Sequence, residues 1–433
     1  MSRRILLVTG EYPPDEGGVA DYSRCLAEAL VAQGQQVAVL TTRRPRQATL
    51  DEVGDPGASR RRDDPPAVGA IPVHRLAAPG WPWHSLKQTA DLARTWRADW
   101  LHLQYQAAAF GLGLPIHLLP GYLRWRLPDL RLAVTYHDLR EPYLFPKAGR
   151  LRGKAVQGLA RRSHLALTTN AADRLALAAT LAARGGAAPR QALVPIGSNL
   201  PDSPPPGYER QAFRAAQGLG PEVLLLGSFG FLNASKGGAR LLEALAALRA
   251  AGRDGRLVLI GGTAGASDAS NAQALAAFRA QAQALGLAPF LIWTGFLPPP
   301  LVSAWLRALD LALLPYTDGA SFRRGSLLAA LSHGCAVIST RAACSAPSSA
   351  VRPPDPASFP TADDVLLPPL EDGVQAMLCP PEDGAALARA ALRLAAEPAL
   401  AAALGREARR LAEAFGWPAI AERHRRLYDL EDA

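Results

Sequence analysis

Short apolar or β-branched runs alternate with longer stretches whose apolar residues recur at helical spacing. The pattern predicts a buried strand at residues 5–9, a helix at 19–33 and a second strand at 36–42. Further strands are expected at 73–76, 100–104, 132–136, 165–169 and 192–195, with helices between most of them, notably 86–96 and 171–183. Residues 43–70 are rich in Gly, Pro, Arg and Asp and read as an exposed loop. Asp202-Ser203-Pro204-Pro205-Pro206-Gly207 reads as a linker, after which the alternation starts again. Strands are expected at 223–226, 257–260, 291–294, 311–314 and 336–339, and helices at 238–250, 271–284, 301–309 and 326–332. Residues 342–364, rich in Pro and Ser, read as an inserted loop, and helices close the chain at 384–395, 399–414 and 419–430.

Strand–helix alternation implies parallel sheets with right-handed crossovers. Two such series predict an α/β chain of two Rossmann-like, doubly wound domains facing a cleft. The expected divisions are 1–200, a linker at 201–220, 221–414 and a terminal helix at 415–433. Ligands of such sheets bind at the carboxyl ends of the strands.

Length and composition fit this picture. The 433 residues suit two domains, and 49% apolar content supports two cores. No apolar run approaches the roughly 18 residues that span a bilayer. The N-terminal apolar stretch is too short for a signal peptide and no small-residue cleavage site follows it, so a cytoplasmic protein is expected. The net charge is +9, and the only lysines are Lys87, Lys147, Lys154 and Lys236. A basic balance suits anionic partners. No nucleic-acid-binding signature is present, and no nucleic-acid partner is expected. Cys25, Cys335, Cys344 and Cys379 lack metal-like spacing and read as incidental thiols.

Four segments carry candidate chemistry. Glu11 to Val19 contains Gly17-Gly18 at a helix start, where bare backbone and unpaired N–H groups fit a phosphate or sugar hydroxyl; an ordinary tight turn is the alternative. Gly227 to Gly238 is a glycine-bearing loop with Lys236 at its mouth, a candidate diphosphate clamp, or else a solvated lysine near a cap. Thr317 to Ser326 brings Arg323 and Arg324 to another helix start, a second anion site or two surface arginines. His137 ends a strand, where it can donate to a sugar hydroxyl, aid proton transfer, or simply pair with Asp138. His102 and Gln104 are similarly ambiguous. Asp63-Asp64 and Asp363-Asp364 lie in stretches read as loops, so neither metal nor other cofactor is expected.

Together these segments resemble the retaining GT-B glycosyltransferases of family 4, over nearly the whole chain. The likeness is carried by Glu11-Tyr12-Pro13-Pro14 with Gly17 to Tyr22, by Tyr136-His137-Asp138, and by Phe229-Gly230-Phe231 through Lys236-Gly237. It continues in Thr294-Gly295-Phe296-Leu297, in Leu331 to Ile338, and in Phe415-Gly416-Trp417. The resemblance implies an acceptor-side N-terminal domain and a C-terminal domain holding a nucleotide-sugar donor, with the last helix crossing back. It implies Lys236 on the diphosphate, the backbone at Phe296 and Leu297 near the base, Gly17 and Gly18 near diphosphate or sugar, and His137 near the transferred sugar. The acceptor would be a glycan, a lipid-linked sugar or a small molecule.

The family carries two glutamates around its donor helix. Ser321 and Ala329 stand at the matching positions, and Ser228 replaces the arginine that precedes the lysine. Arg323, Arg324 and Ser326 are candidates to compensate. These departures leave a second reading open: a scaffold that binds nucleotide or glycan without turnover. A third is another nucleotide-sugar enzyme of this shape, such as an epimerase, which would need acid–base groups not found in the sequence. Peripheral contact with the inner face of a membrane is a further expectation, from Glu141 to Lys147, Arg150 to Lys154, and Tyr122 to Arg126; packing of amphipathic helices explains these segments nearly as well.

Overall fold

The computed structural model describes residues 2–15, 17–42, 71–76, 80–111, 114–139, 149–183, 188–230, 232–261, 269–342, 364 and 367–430. The loop expected at 43–70, most of that at 342–364, Glu141 to Lys147, Asp63-Asp64, Asp363, Phe231 and Cys344 lie outside them. The chain divides into two compact units: Met1–Pro195 with Ser349–Leu366 and Trp417–Ala433, and Ile196–Ser348 with Leu367–Gly416.

The first unit runs β1 (Arg4–Thr9), α1 (Gly18–Ala32), β2 (Gln36–Thr42), β3 (Val73–Leu76), α2 (His84–Trp96), β4 (Trp100–Tyr105), α3 (Pro115–Arg126), β5 (Arg131–Tyr136), α4 (Gly149–Arg162), β6 (Leu165–Thr168), α5 (Ala171–Ala182) and β7 (Arg190–Leu193). All pairings are parallel, in the order β3-β2-β1-β4-β5-β6-β7. Ile5, Leu6, Leu7 and Val8 are all fully buried. That explains why β1 reads as a continuous apolar run: helices cover both faces of a parallel sheet.

The second unit runs α6 (Arg210–Ala216), β8 (Leu224–Phe229), α7 (Gly238–Ala250), β9 (Gly255–Ile260), α8 (Ala269–Ala284), β10 (Leu291–Gly295), α9 (Pro299–Ala308), β11 (Leu311–Leu314), α10 (Gly325–Ser332), β12 (Val337–Thr340), β13 (Ala376–Cys379), α11 (Gly384–Ala396) and α12 (Pro398–Glu413). Its sheet, again parallel, has the order β10-β9-β8-β11-β12-β13.

Two elements lack a sequence signal. Helix α6 lies inside the stretch read as linker; it packs against α9, and buried Arg214 bonds Asp310 at 2.9 Å and the carbonyl of Ala308 at 3.0 Å. Strand β13 is four residues long and sits at the sheet edge, too short for a periodicity argument.

Helix α13 (Trp417–Leu430) groups with the first unit and packs on α1. Its Tyr428 hydroxyl meets buried His102 Nδ1 at 2.6 Å, and His102 Nε2 meets Thr135 Oγ1 at 2.7 Å. His102 is therefore a structural pin between strand and helix, and no longer a candidate for chemistry.

Candidate active site

In each unit the strand order reverses beside the first strand, between β1 and β4 and between β8 and β11. Such reversals open a crevice beyond the strands' carboxyl ends. The loops that leave those ends hold nearly all the residues singled out in the sequence.

In the second unit, Lys236 follows β8 and Ser326 is the second residue of α10, which follows β11. Lys236 Nζ donates to Ser326 Oγ at 2.5 Å and to the Phe229 carbonyl at 3.3 Å. An ammonium has three N–H bonds, so one stays uncommitted among the described residues. Tyr316 lies beneath: its hydroxyl meets Ser326 Oγ at 2.7 Å, and Lys236 Nζ sits 5.0 Å from its ring centroid. The Arg324 guanidinium lies 4.1 Å over the same ring, bonds Ser235 Oγ at 3.3 Å and pairs with Asp318. Burial, and then the charge of Arg324, push the Lys236 ammonium down to about 7. Burial pushes the Tyr316 phenol up to about 12.

The glycines of this loop are there for definite reasons. Gly230 has φ 100°, a backbone conformation that residues with a Cβ rarely adopt. Gly237 has φ 63°, and a Cβ would come to 2.0 Å from the Pro315 carbonyl oxygen. Both positions therefore exclude side chains. Gly325, at the first position of α10, has open space around it, so a ligand can approach the N–H groups of that first turn.

Other expected residues are less involved. Arg323 enters this turn through its backbone, its N–H donating to Ser321 Oγ at 3.3 Å. Ala329 is 1% exposed and packs in the apolar core, so position 329 presents no polar group. Ser228 is buried. Phe296 is 72% exposed directly after β10, while Leu297 packs against the core.

In the first unit, Gly17 precedes α1 and Gly18 begins it. The buried Glu11 carboxylate accepts the Val19 N–H at 3.2 Å, and a Cβ on Gly17 would come within 2.3 Å of that carboxylate. The chain thus supplies its own anion at this helix start. A second anion there would be repelled, so the open space beside Gly18 suits a sugar hydroxyl better than a phosphate.

His137 pairs with Gln104 Oε1 at 3.0 Å, not with Asp138, and packs edge-on to Tyr22 with centroids 4.6 Å apart. Asp138 instead accepts from Gln106 Nε2 at 3.4 Å. Burial, reinforced by His424, pushes the His137 imidazole down to about 3. A ring that weakly basic is neutral at pH 7 and a poor proton acceptor, which leaves hydrogen bonding as its chemistry.

Tyr316, and the roles of Glu11 and Ser235 within segments already singled out, escaped sequence reasoning. Tyr316 had one usable signal, its place directly after a buried strand beside the glycine loop. Nothing in the sequence marked Glu11 as a helix cap eight residues ahead of its partner.

A cavity of about 520 Å³ opens at the opposite end of the second sheet, against the starts of β8, β11 and β12. Its arginines are already paired, Arg210 with Asp310, and Arg307 and Arg409 with Asp202. Cys25, Cys335 and Cys379 are buried free thiols, pushed up to about 11, 12 and 11 by desolvation. Among the described residues no cluster of His, Cys, Asp or Glu could hold a metal ion, and no helix is long and apolar enough to cross a membrane.

Two parallel-sheet units, each with a glycine-bearing loop at its switch point, define the GT-B class of fold. The family models described as "Glycosyl transferase 4-like domain" and "Glycosyl transferases group 1" match residues 17–197 and 220–397. The chain belongs to the GT-B glycosyltransferase superfamily, and is a transferase. It is 29% identical over 286 residues to the 2-deoxystreptamine glucosyltransferase of Streptomyces kanamyceticus, a match covering 61% of this chain and 68% of that one. Sucrose-phosphate synthase from Thermosynechococcus elongatus has the same fold, with TM-score 0.67, 20% identity and 99% and 98% of the two chains covered. So does Anabaena HepE in complex with UDP and glucose, with TM-score 0.68, 17% identity and 99% of each chain covered.

Proposed function

We propose that the chain transfers a sugar, with retention, from a nucleoside diphosphate donor to a glycan, lipid-linked or small-molecule acceptor. The observation that carries this is Lys236, held against Ser326 at the start of α10 with one N–H to spare. As the glycosidic bond to the diphosphate breaks, negative charge grows on the leaving group. Lys236 and the first-turn amides of α10 stabilise that charge, and Arg324 adds a second cation. Phe296 and Leu297 offer backbone to the base; in the first unit, taken by itself, Gly18 and neutral His137 offer hydrogen bonds of the kind that sugar hydroxyls accept. No step of this scheme requires a protein nucleophile.

UDP-sugars are the first donors to test, because HepE is seen with UDP-glucose and the Streptomyces relative is a glucosyltransferase. Calorimetry with UDP, GDP and ADP would identify the base. Lys236→Ala should weaken the preferred nucleotide by about 1–3 kcal/mol; unchanged affinity removes Lys236 from the site.

The second reading, a binding protein without turnover, is favoured by one observation: position 329 is a buried methyl and position 321 a hydroxyl, where the resembled family has carboxylates. Tight UDP binding with neither transfer nor donor hydrolysis would select it.

A further inference from the structure

Helix α3 leaves an apolar stripe uncovered. Leu114, at its N-cap, is 58% exposed, Leu118 42% and Trp125 73%, with half-buried Tyr122 between the last two. Positions 114, 118, 122 and 125 fall on one side of a helix. Ile116, Leu119 and Leu123 on the other side are buried in the unit's core, so the helix is already anchored without the stripe.

The surroundings of the stripe are basic. Helix α3 carries Arg124 and Arg126 and no acidic residue, and both arginines are exposed. Neighbouring α4 carries Arg150, Arg152, Lys154, Arg161 and Arg162, again with no acidic residue. Exposed Arg162 lies against α3 at Gly121, where a Cβ would come to 3.2 Å from its Cδ. The Arg126 guanidinium sits 5.5 Å over the Trp125 ring, and Tyr122 packs edge-on to Trp125 at 6.0 Å. Among the described residues the nearby acids are few: Asp91 on α2 is paired with Lys87 and Arg94, and Asp129 follows the helix.

We propose that α3 and α4 form a docking face for an anionic lipid bilayer. A stripe one side chain wide can enter the headgroup region, but it is too narrow to be the dry centre of a protein interface. Aromatic rings flanked by arginines suit the boundary between acyl chains and headgroups, where an arginine stem lies along apolar surface while its charge stays among phosphates. Exposed Arg124, Arg126 and Arg162, on two adjacent helices whose sequences hold no acid, select anionic lipid over zwitterionic. This inference stands apart from the donor chemistry and makes a lipid-linked acceptor the economical choice among acceptors.

Flotation of the full chain with phosphatidylcholine vesicles, with and without phosphatidylglycerol, tests it at low and moderate salt. Association only with the anionic vesicles is expected, reduced about fivefold for each of Arg124→Ser and Arg126→Ser. Leu118→Asp and Trp125→Asp should abolish it, with far-UV circular dichroism and UDP-induced thermal shift unchanged because both sites are exposed. If either variant fails to fold, Leu114→Asp replaces it. Brominated phosphatidylglycerol should quench tryptophan emission in the wild type and much less in Trp125→Phe. Three outcomes overturn the proposal: no association with anionic vesicles at low salt, α3 variants that bind as the wild type does, or self-association of the chain that these variants remove.

Discussion

Lys236 and Ser326 lie 90 residues apart in the chain, yet the ammonium of one donates to the hydroxyl of the other at 2.5 Å. The contact joins the loop after β8 to the first turn of the helix after β11, across the point where the strand order reverses. It holds a poorly solvated cation beside the Gly325 and Ser326 N–H groups that begin α10, and that combination predicts a pH dependence for nucleotide binding.

With the Lys236 ammonium pushed down to about 7, the free protein is largely neutral there at pH 8. A bound diphosphate favours the charged form and raises the group again. Binding at pH 8 should therefore take up most of one proton, seen as a dependence of calorimetric enthalpy on buffer ionisation heat. Affinity should fall by up to about tenfold per pH unit above 7 and flatten below it. Lys236→Ala should abolish the proton uptake. An enthalpy independent of buffer in the wild type would place the diphosphate elsewhere.

Gly237 should tolerate nothing larger. At φ 63° with the Pro315 carbonyl 2.0 Å from where a Cβ would stand, Gly237→Ala combines a left-handed backbone with a backbone clash. A loss of at least about 2 kcal/mol in urea unfolding is expected, together with weaker nucleotide binding. Gly252, also left-handed but with open space around it, is the control: Gly252→Ala should cost only the conformational strain, about 1 kcal/mol.

The fold was legible because buried parallel strands announce themselves as unbroken apolar runs, and Ile5 to Val8 of β1, each at 0% exposure, are the plainest case. Lys236 stood out as a candidate because lysine is scarce here and this one follows a strand and a glycine loop. What stayed hidden depends on distance in sequence. Glu11 caps α1 across a turn, Gln104 holds His137 from the neighbouring strand, and Tyr428 reaches His102 from 326 residues away. Helix α6 was hidden because a proline-rich lead-in outweighed seven residues whose order comes from packing on α9.

The first unit should weaken in acid. His102 and His424 are buried, His137 is half-buried, and all three are held below the ordinary histidine range by desolvation, His137 to about 3 and His424 to about 4. The unfolded chain therefore binds protons before the folded one does, so stability falls as pH drops below about 6.5 and keeps falling toward 4. Each histidine should contribute a slope of about 1.4 kcal/mol per pH unit in that window. Urea midpoints between pH 7 and 4.5 measure it, and His424→Gln should reduce the slope by one proton. An unchanged slope in that variant would mean that His424 is already charged in the fold.

Asp364 returns from the second unit's stretch of sequence to the first, and its side chain is fully buried there. Its Oδ1 accepts from Arg174 Nε at 2.9 Å and from the Leu193 N–H at 2.8 Å, and Arg174 also donates to Gln191 at 3.1 Å. Removing one partner leaves the other charge buried and unpaired, so Asp364→Ala and Arg174→Ala should each cost about 3–5 kcal/mol. Replacing both with apolar residues, Arg174→Met with Asp364→Leu, should recover most of the loss, because neither charge then needs solvation. Part of the remaining deficit reports the Leu193 N–H, which loses its acceptor wherever Asp364 is replaced. A double variant as unstable as the sum of the singles would show that the two side chains act independently.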